Sequence, residues 1–172
     1  MKNKASPQKR LRGSISFLAL GIISVVLLFG LIFLELEELY DCQYAVEVRA
    51  QRAVNSCVEY YMDDMKRADY LNYLDVDAIQ HAGWPKPLYS YLNEDLNVDS
   101  SGKCYDSTGK LLYTVSYSNP QYTENPATMG VTVTVRMQAS IGSLFNFPVY
   151  TWSNDFKSTN FRTDVNERAG RW

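Results

Sequence analysis

Few residues in this chain have side chains suited to catalysis or metal binding. It contains one histidine, His81, and three cysteines, Cys42, Cys57 and Cys104. A Ser-His-Asp triad would have to use His81, and no nucleophile motif such as G-x-S-x-G accompanies it. A zinc site needs a second histidine or a closely spaced cysteine pair, and the sequence has neither. We therefore expect a protein that is not an enzyme and that carries no metal or other cofactor.

The stretch Asp95–Asp106 has the alternating oxygen-bearing side chains of a calcium loop. Ser100, however, stands where the EF-hand pattern requires glycine, and the twelfth position is aspartate rather than glutamate. The sequence favours a polar helix end over a calcium site.

An uncharged segment follows a basic leader. Residues 15–34 contain no charged side chain, and 20 residues of helix span roughly 30 Å, the thickness of a bilayer core. The bases that precede it are Lys2, Lys4, Lys9, Arg10 and Arg12. The positive-inside bias predicts a cytoplasmic leader at 1–13, a transmembrane helix at 14–34 and an extracytoplasmic remainder. The apolar run ends in glutamates without an A-x-A-like site, so cleavage behind the span is not indicated.

The extracytoplasmic part is acidic. Of 17 basic residues five lie in the leader, which leaves 12 against 19 acidic residues and a net charge of about −7. A nucleic-acid partner would require a basic surface, and docking on anionic lipid would require one too. The charge argues against both kinds of partner, so we expect no nucleic acid and contact with the membrane through the span.

Residues 35–75 are predicted to continue the span as an amphipathic helix. No proline or glycine lies between residues 34 and 69. Apolar or small residues recur every three or four positions, the spacing of one helical face. This stripe consists of Leu39, Cys42, Val46, Ala50, Ala53, Cys57, Tyr61, Met65 and Ala68.

Residues 76–166 read as an α+β head and 167–172 as a tail. A short helix is expected around 88–96, and a hairpin with its turn at Asp106–Gly109 leads to a strand at 111–117. After a loop at 118–130, Val131–Met137 alternates apolar and polar residues as a half-buried strand does. Segments 144–155 and 161–165 complete a small antiparallel sheet. The predicted architecture is one long helix packed on this sheet.

Three extracytoplasmic cysteines suggest one disulfide. Cys42 and Cys57 lie 15 residues apart, about 22 Å along a helix, and cannot bond to each other. Cys57–Cys104 is the expected pair, because Cys57 lies where the head should pack. Cys42–Cys104 and three reduced thiols are the alternatives.

The start of the chain resembles TadE-like proteins, the pilin-like minor subunits (pseudopilins) of Tad, or Flp, pilus systems. The resemblance rests on Arg12-Gly13-Ser14 before an apolar span, followed by Leu39-Tyr40 and an alanine-bearing helix. It continues weakly from the Val/Thr strand at 131–141 through Gly142-Ser143-Leu144 into residues 145–150. Residues 78–129 show no such resemblance.

The resemblance implies a pilin-like subunit of a bacterial surface filament or related secretion system. A prepilin peptidase would cut after Gly13, so the mature chain would begin at Ser14. The partners would be other pilin-like subunits and pilus assembly proteins, reached through span and head. The fifth residue after the cut, commonly glutamate in pilin-like proteins, is Leu18 here, which favours a minor, initiating or tip subunit.

A second function is compatible with the same sequence. The chain would be a permanently anchored single-pass membrane protein whose tyrosine-rich head recognises a carbohydrate or protein ligand. Tyr89, Tyr91 and Tyr122 are candidates for such contacts, although sheet packing would account for each of them. The two functions differ in whether Gly13 is a processing site.

Overall fold

The computed structural model describes residues 8–62, 72–137 and 149–158, with side chains described from residue 16 onward. The chain forms two compact units, Met1–Tyr40 and Asp41–Trp172. Helix α1, Gln8–Tyr60, supplies the described part of the first unit and the start of the second. The leader residues 1–7 and the predicted tail at 167–172 lie outside the described residues.

In the first unit α1 is an apolar helix with exposed side chains. All but one of its large hydrophobic side chains from Phe17 to Leu36 are exposed, the exception being half-exposed Ile32. The most apolar 18-residue window has a mean hydropathy of 3.0 and no buried residue. Within the described ranges this is the one helix long and apolar enough to cross a membrane. The predicted apolar helix is therefore confirmed by length and composition.

In the second unit the predicted helical stripe forms part of the core. Val46, Ala50, Ala53 and Cys57 are at most 1% exposed, and Val54 beside them is fully buried. Arg52 on the opposite face is exposed and pairs with Asp95. The period of 3.6 residues correctly identified which side of the helix is buried.

Helix α1 ends at Tyr60, and the part of the predicted helix at 63–71 lies outside the described residues. Met62 forms an antiparallel bridge with Leu74, and the Asp75 amide donates to the Tyr61 carbonyl oxygen at 2.8 Å. Leu74 is 1% exposed. The helix formers around Tyr60 do not indicate this bridge, because it depends on contact with a segment twelve residues later in the chain.

Two short helices follow in the described segment 72–137. Helix α2, Val76–His81, was not predicted; the Asp75 side chain caps it by accepting from the Ala78 amide at 2.9 Å. Helix α3, Lys86–Asp95, agrees with the predicted short helix, and it buries Leu88 and Leu92 completely.

Within the described residues, four strands form one antiparallel sheet: β1, Lys103–Tyr105; β2, Leu111–Thr123; β3, Thr128–Met137; and β4, Tyr150–Lys157. Their order across the sheet is β1-β2-β3-β4. One long helix with a small antiparallel sheet confirms the α+β class.

The sheet has an apolar face and a polar face. Val131, Val133, Val135 and Met137 alternate with exposed or half-exposed neighbours along β3, and all four are at most 3% exposed. The other face, called here the outer face, carries hydroxyl groups: Thr134 and Ser153 lie within hydrogen-bonding distance at 3.0 Å. The strict alternation on β3 is what the sequence predicted.

Two strand boundaries differ from the prediction. Residues 118–123, expected in a loop, extend β2, because a bulge between Ser118 and Gln121 accommodates Asn119 at φ 51° and Pro120, which has no amide hydrogen. The last described strand is β4, where 144–155 was expected. The strand expected at 161–165 lies outside the described residues.

Candidate functional site

The expected processing residues lie on α1. Gly13 and Ser14 are the sixth and seventh residues of this helix, which begins at Gln8. The backbone of both residues is helical, and the description of side chains begins after them, at residue 16.

The cysteines form two separate neighbourhoods, and the expected Cys57–Cys104 disulfide is not formed. All three are free thiols. Burial raises the pKa of Cys42, and its electrostatic interaction with Cys104 raises it further. Cys57 instead interacts with Tyr61 and Tyr91. Burial raises the pKa of each tyrosine, and the electrostatic interaction with Cys57 raises it further.

Helix geometry limits which cysteine Cys104 can approach. Cys42 and Cys57 are separated by about 22 Å along α1, so β1 cannot place Cys104 beside both. Cys57 is fully buried, and burial raises the pKa of its thiol to about 12. A thiol that stays protonated near neutral pH is a packing group rather than a nucleophile.

His81 occupies the last turn of α2. Its Nδ1 donates to the Asp77 carbonyl oxygen, in the first turn of the same helix, at 2.7 Å. The described hydrogen bond of His81 is therefore local to α2.

Two loops share one sequence pattern and one hydrogen-bond pattern. They are Asp99–Lys103, DSSGK, and Asp106–Lys110, DSTGK. In each, Oδ1 of the aspartate accepts from the backbone amide and hydroxyl two residues on, and from the lysine amide four residues on, at 2.7–3.0 Å. In the calcium interpretation Asp99 and Asp106 would be ligands; here their Oδ1 atoms instead fix these turns. The repeat of D-S-S/T-G-K every seven residues could have been noticed in the sequence.

The three candidate tyrosines all contact other aromatic rings. Tyr89 stacks on Tyr117 with ring centroids 5.1 Å apart, and Tyr91 lies 6.2 Å from Tyr60. Tyr122 makes an edge contact with Trp84 at 5.0 Å. Each tyrosine therefore contributes to packing within the head.

A polar pocket lies on the outer face where β2, β3 and β4 meet. Its volume is about 260 Å³. Gly130 on β3 is paired with Gln121 on β2 and with Lys157 on β4. The lining side chains that point to the outer face surround this glycine. Because Gly130 has no side chain, the floor at this point is backbone. We call this site the Gly130 pocket.

The rim of the Gly130 pocket carries amides, hydroxyls and two opposite charges. The polar lining residues are Asn119, Gln121, Thr123, Thr128, Thr132, Asp155 and Lys157. The Thr132 hydroxyl donates to Oδ1 of Asp155 at 2.6 Å, and the Asn119 amide donates to Thr132 Oγ1 at 3.4 Å. A chain of side chains therefore links the β2 bulge to β4.

Sequence reasoning did not find this pocket. It depends on the register of three strands and on the bulge at Ser118–Gln121, which brings Asn119 to the rim. Tyr122 was a candidate contact residue and it lines the pocket, but it is paired with buried Met129, and its ring lies against Trp84.

Comparisons with protein-family models, with curated proteins and with solved structures find no match to this chain.

Proposed function

We propose that this chain is a pilin-like structural subunit, a minor pilin or pseudopilin of a Tad-type pilus or related secretion filament, with no catalysis of its own. The observation that carries the proposal is that one helix, α1, contains both an exposed apolar segment of membrane-spanning length and a buried face of the α+β head.

This use of one helix suits an assembly subunit. A protein that only needs anchoring can join span and domain by a flexible linker. Here Val46, Ala50 and Ala53, which are at most 1% exposed, follow the apolar segment within the same helix. We infer that the N-terminus is cytoplasmic, the head extracytoplasmic, and the partners other pilin-like subunits and assembly proteins.

The helix also favours a minor role. Leu18 is 66% exposed on α1, where many pilin-like proteins carry a glutamate that pairs with a neighbour's amino terminus. Leucine cannot form that ion pair. A subunit that starts or caps a filament needs fewer such pairings than one repeated along it.

The test is the intact mass of the protein recovered from its native membrane. A chain that starts at Ser14 means that a prepilin peptidase removes the leader after Gly13, and it supports the proposal. A chain that starts at Met1 contradicts it.

A variant and a matched control sharpen this test. Gly13→Leu should leave the leader attached and abolish incorporation into filaments, whereas Gly21→Leu, inside the span, should leave cleavage unchanged. A Cβ at Gly21 would meet nothing within 4 Å, so this control introduces no internal clash. Equal processing of both variants would contradict a role for Gly13.

The second candidate function is a permanently anchored binding module, and the Gly130 pocket is the observation that favours it. Under this function the mass begins at Met1, and Gly13→Leu changes neither location nor ligand binding.

A further inference from the structure

We propose that the Gly130 pocket binds a single neutral sugar unit of a glycan. The proposal does not depend on pilus assembly, because every lining residue lies between Asn119 and Lys157, within the second compact unit. It would hold for a filament subunit and for an anchored module alike.

The size of the pocket sets the size of the ligand. Its volume of about 260 Å³ is slightly below the range of about 300–1,000 Å³ typical of pockets for drug-sized molecules. It is open on the outer face, which would let neighbouring sugars of a chain remain in solvent. A single sugar ring matches this volume, and the rest of a longer ligand would lie outside the pocket.

The charge of the rim favours a neutral ligand. Asp155 and Lys157 are the charged residues of the lining, and their formal charges cancel. An anion would meet the carboxylate of Asp155, and a cation would meet the ammonium of Lys157. Neither an anionic nor a cationic ligand would find only opposite charges in the pocket.

The side chains on the outer face favour a ligand that is polar all around. Strand alternation directs Tyr122, Met129, Val131 and Phe156 to the opposite face, so they line the pocket through backbone. The rim itself presents amide and hydroxyl groups. An apolar side chain of a peptide would find no apolar side chain there, whereas the hydroxyls of a sugar ring match amide and carboxylate partners.

The site is also partly preorganised. Asp155 is held by the Thr132 hydroxyl at 2.6 Å, and the Asn119 backbone is fixed in a bulge at φ 51°. Holding polar groups in place before binding reduces the entropy cost of association. We expect millimolar affinity for a single sugar, because few atoms of a small ligand make contact.

The experiment is saturation-transfer NMR on the full chain in lauryldimethylamine oxide micelles, a detergent without a sugar headgroup. The probes are galactose, mannose and N-acetylglucosamine at millimolar concentration, with glycylglycine as a zwitterionic comparison. We expect transfer to at least one sugar and none to the dipeptide. Transfer to no sugar, or to glycylglycine alone, overturns the proposal.

Gly130→Thr is the variant that closes the pocket. Gly130 is not at positive φ, and a Cβ there would lie 3.4 Å from the Phe156 carbonyl oxygen, an ordinary contact. Threonine favours strands, so the sheet should remain folded while the floor is filled. Ser116→Thr is the matched control, since Ser116 is exposed, paired with Thr134 on the same face and outside the lining.

We expect sugar binding to weaken at least tenfold in Gly130→Thr and to be unchanged in Ser116→Thr. Gln121→Ala provides a second test, because Gln121 is exposed and its truncation should remove a rim amide without unfolding the sheet. Circular dichroism and thermal melting establish that each variant is folded. Wild-type binding in both Gly130→Thr and Gln121→Ala would overturn the assignment of the site.

Discussion

Gly102 and Gly109 occupy the same place in the two D-S-S/T-G-K loops and have similar backbone angles, φ 74° and 84°. Their surroundings differ. A Cβ at Gly102 would lie 2.4 Å from the Val115 carbonyl oxygen, whereas a Cβ at Gly109 would meet nothing within 4 Å. An alanine at Gly109 would therefore meet backbone strain alone, whereas an alanine at Gly102 would meet backbone strain and a steric clash.

We expect Gly109→Ala to lower the free energy of unfolding by about 1–2 kcal/mol, the cost of a left-handed alanine. Gly102→Ala should cost more, because the Val115 backbone must also shift. Chemical denaturation of the full chain in detergent measures both. Equal losses would mean that the β2 backbone yields freely at Val115.

Asp99 and Asp106 predict a dependence of stability on pH. The pKa of Asp99 is lowered by the Lys103 amide first and the Ser101 hydroxyl next, and that of Asp106 by the Thr108 hydroxyl and then the Lys110 amide. A folded-state pKa below the unfolded value of about 3.9 adds stability above that value, and this stability is lost as the pH falls through the folded pKa.

The double variant Asp99→Asn/Asp106→Asn isolates this contribution. Wild type should have the higher melting temperature at neutral pH. The difference should shrink as the pH falls below the unfolded value of about 3.9 and vanish once both aspartates are protonated. Thermal melts across this range give the comparison. A difference that stays constant with pH would show that the carboxylate charges do not stabilise the loops.

At the scale of elements, α1 predicts how tightly the head is packed. Ala50 is fully buried on the face that forms the core, while Val48 two residues earlier is 51% exposed. We expect Ala50→Leu to destabilise the head by about 1–3 kcal/mol through overpacking. Val48→Leu should stay within about 0.5 kcal/mol of wild type, as exposed substitutions usually do.

The midpoint of chemical unfolding, followed by tryptophan fluorescence, measures both variants. If Ala50→Leu were as stable as Val48→Leu, the small residues of this stripe would not set the distance between α1 and its neighbours.

Elements with a repeating pattern were predictable from sequence, and those fixed by distant contacts were not. The stripe at Val46–Cys57 and the alternation at Val131–Met137 each follow one helical or strand period. The end of α1 depends on the Met62–Leu74 bridge, and residues 118–123 resemble a loop because Asn-Pro usually marks a turn. Only the bulge keeps them in β2.

The Gly130 pocket illustrates the same limit for the site. In the sequence Gly130 is one glycine within a predicted loop. Its place in the floor of a pocket depends on the strand register that pairs it with Gln121 and Lys157. The disulfide expectation failed for a related reason, because which cysteine approaches Cys104 depends on where along α1 the sheet lies.

For the whole molecule, the exposed apolar part of α1 predicts stable membrane insertion. Val26 is 63% exposed near the middle of this segment. A lysine at the centre of a transmembrane helix costs about 2.5–3.5 kcal/mol on insertion scales. We expect Val26→Lys to reduce the fraction of protein that resists alkaline carbonate extraction, and Val26→Leu to leave it unchanged. Full resistance of the lysine variant would argue against a central position for Val26.

The shortness of β1 has a consequence for self-association through the sheet. A long outer strand exposes a row of unpaired amides and carbonyls on which a foreign strand can assemble, and a short one limits that hazard. With only three residues between two tight loops, β1 itself offers almost no template, but it pairs with no residue of β2 beyond Thr114. Among the described strands, two longer edges are therefore the places where amyloid-like growth would begin: the eight-residue β4 and the part of β2 beyond Thr114.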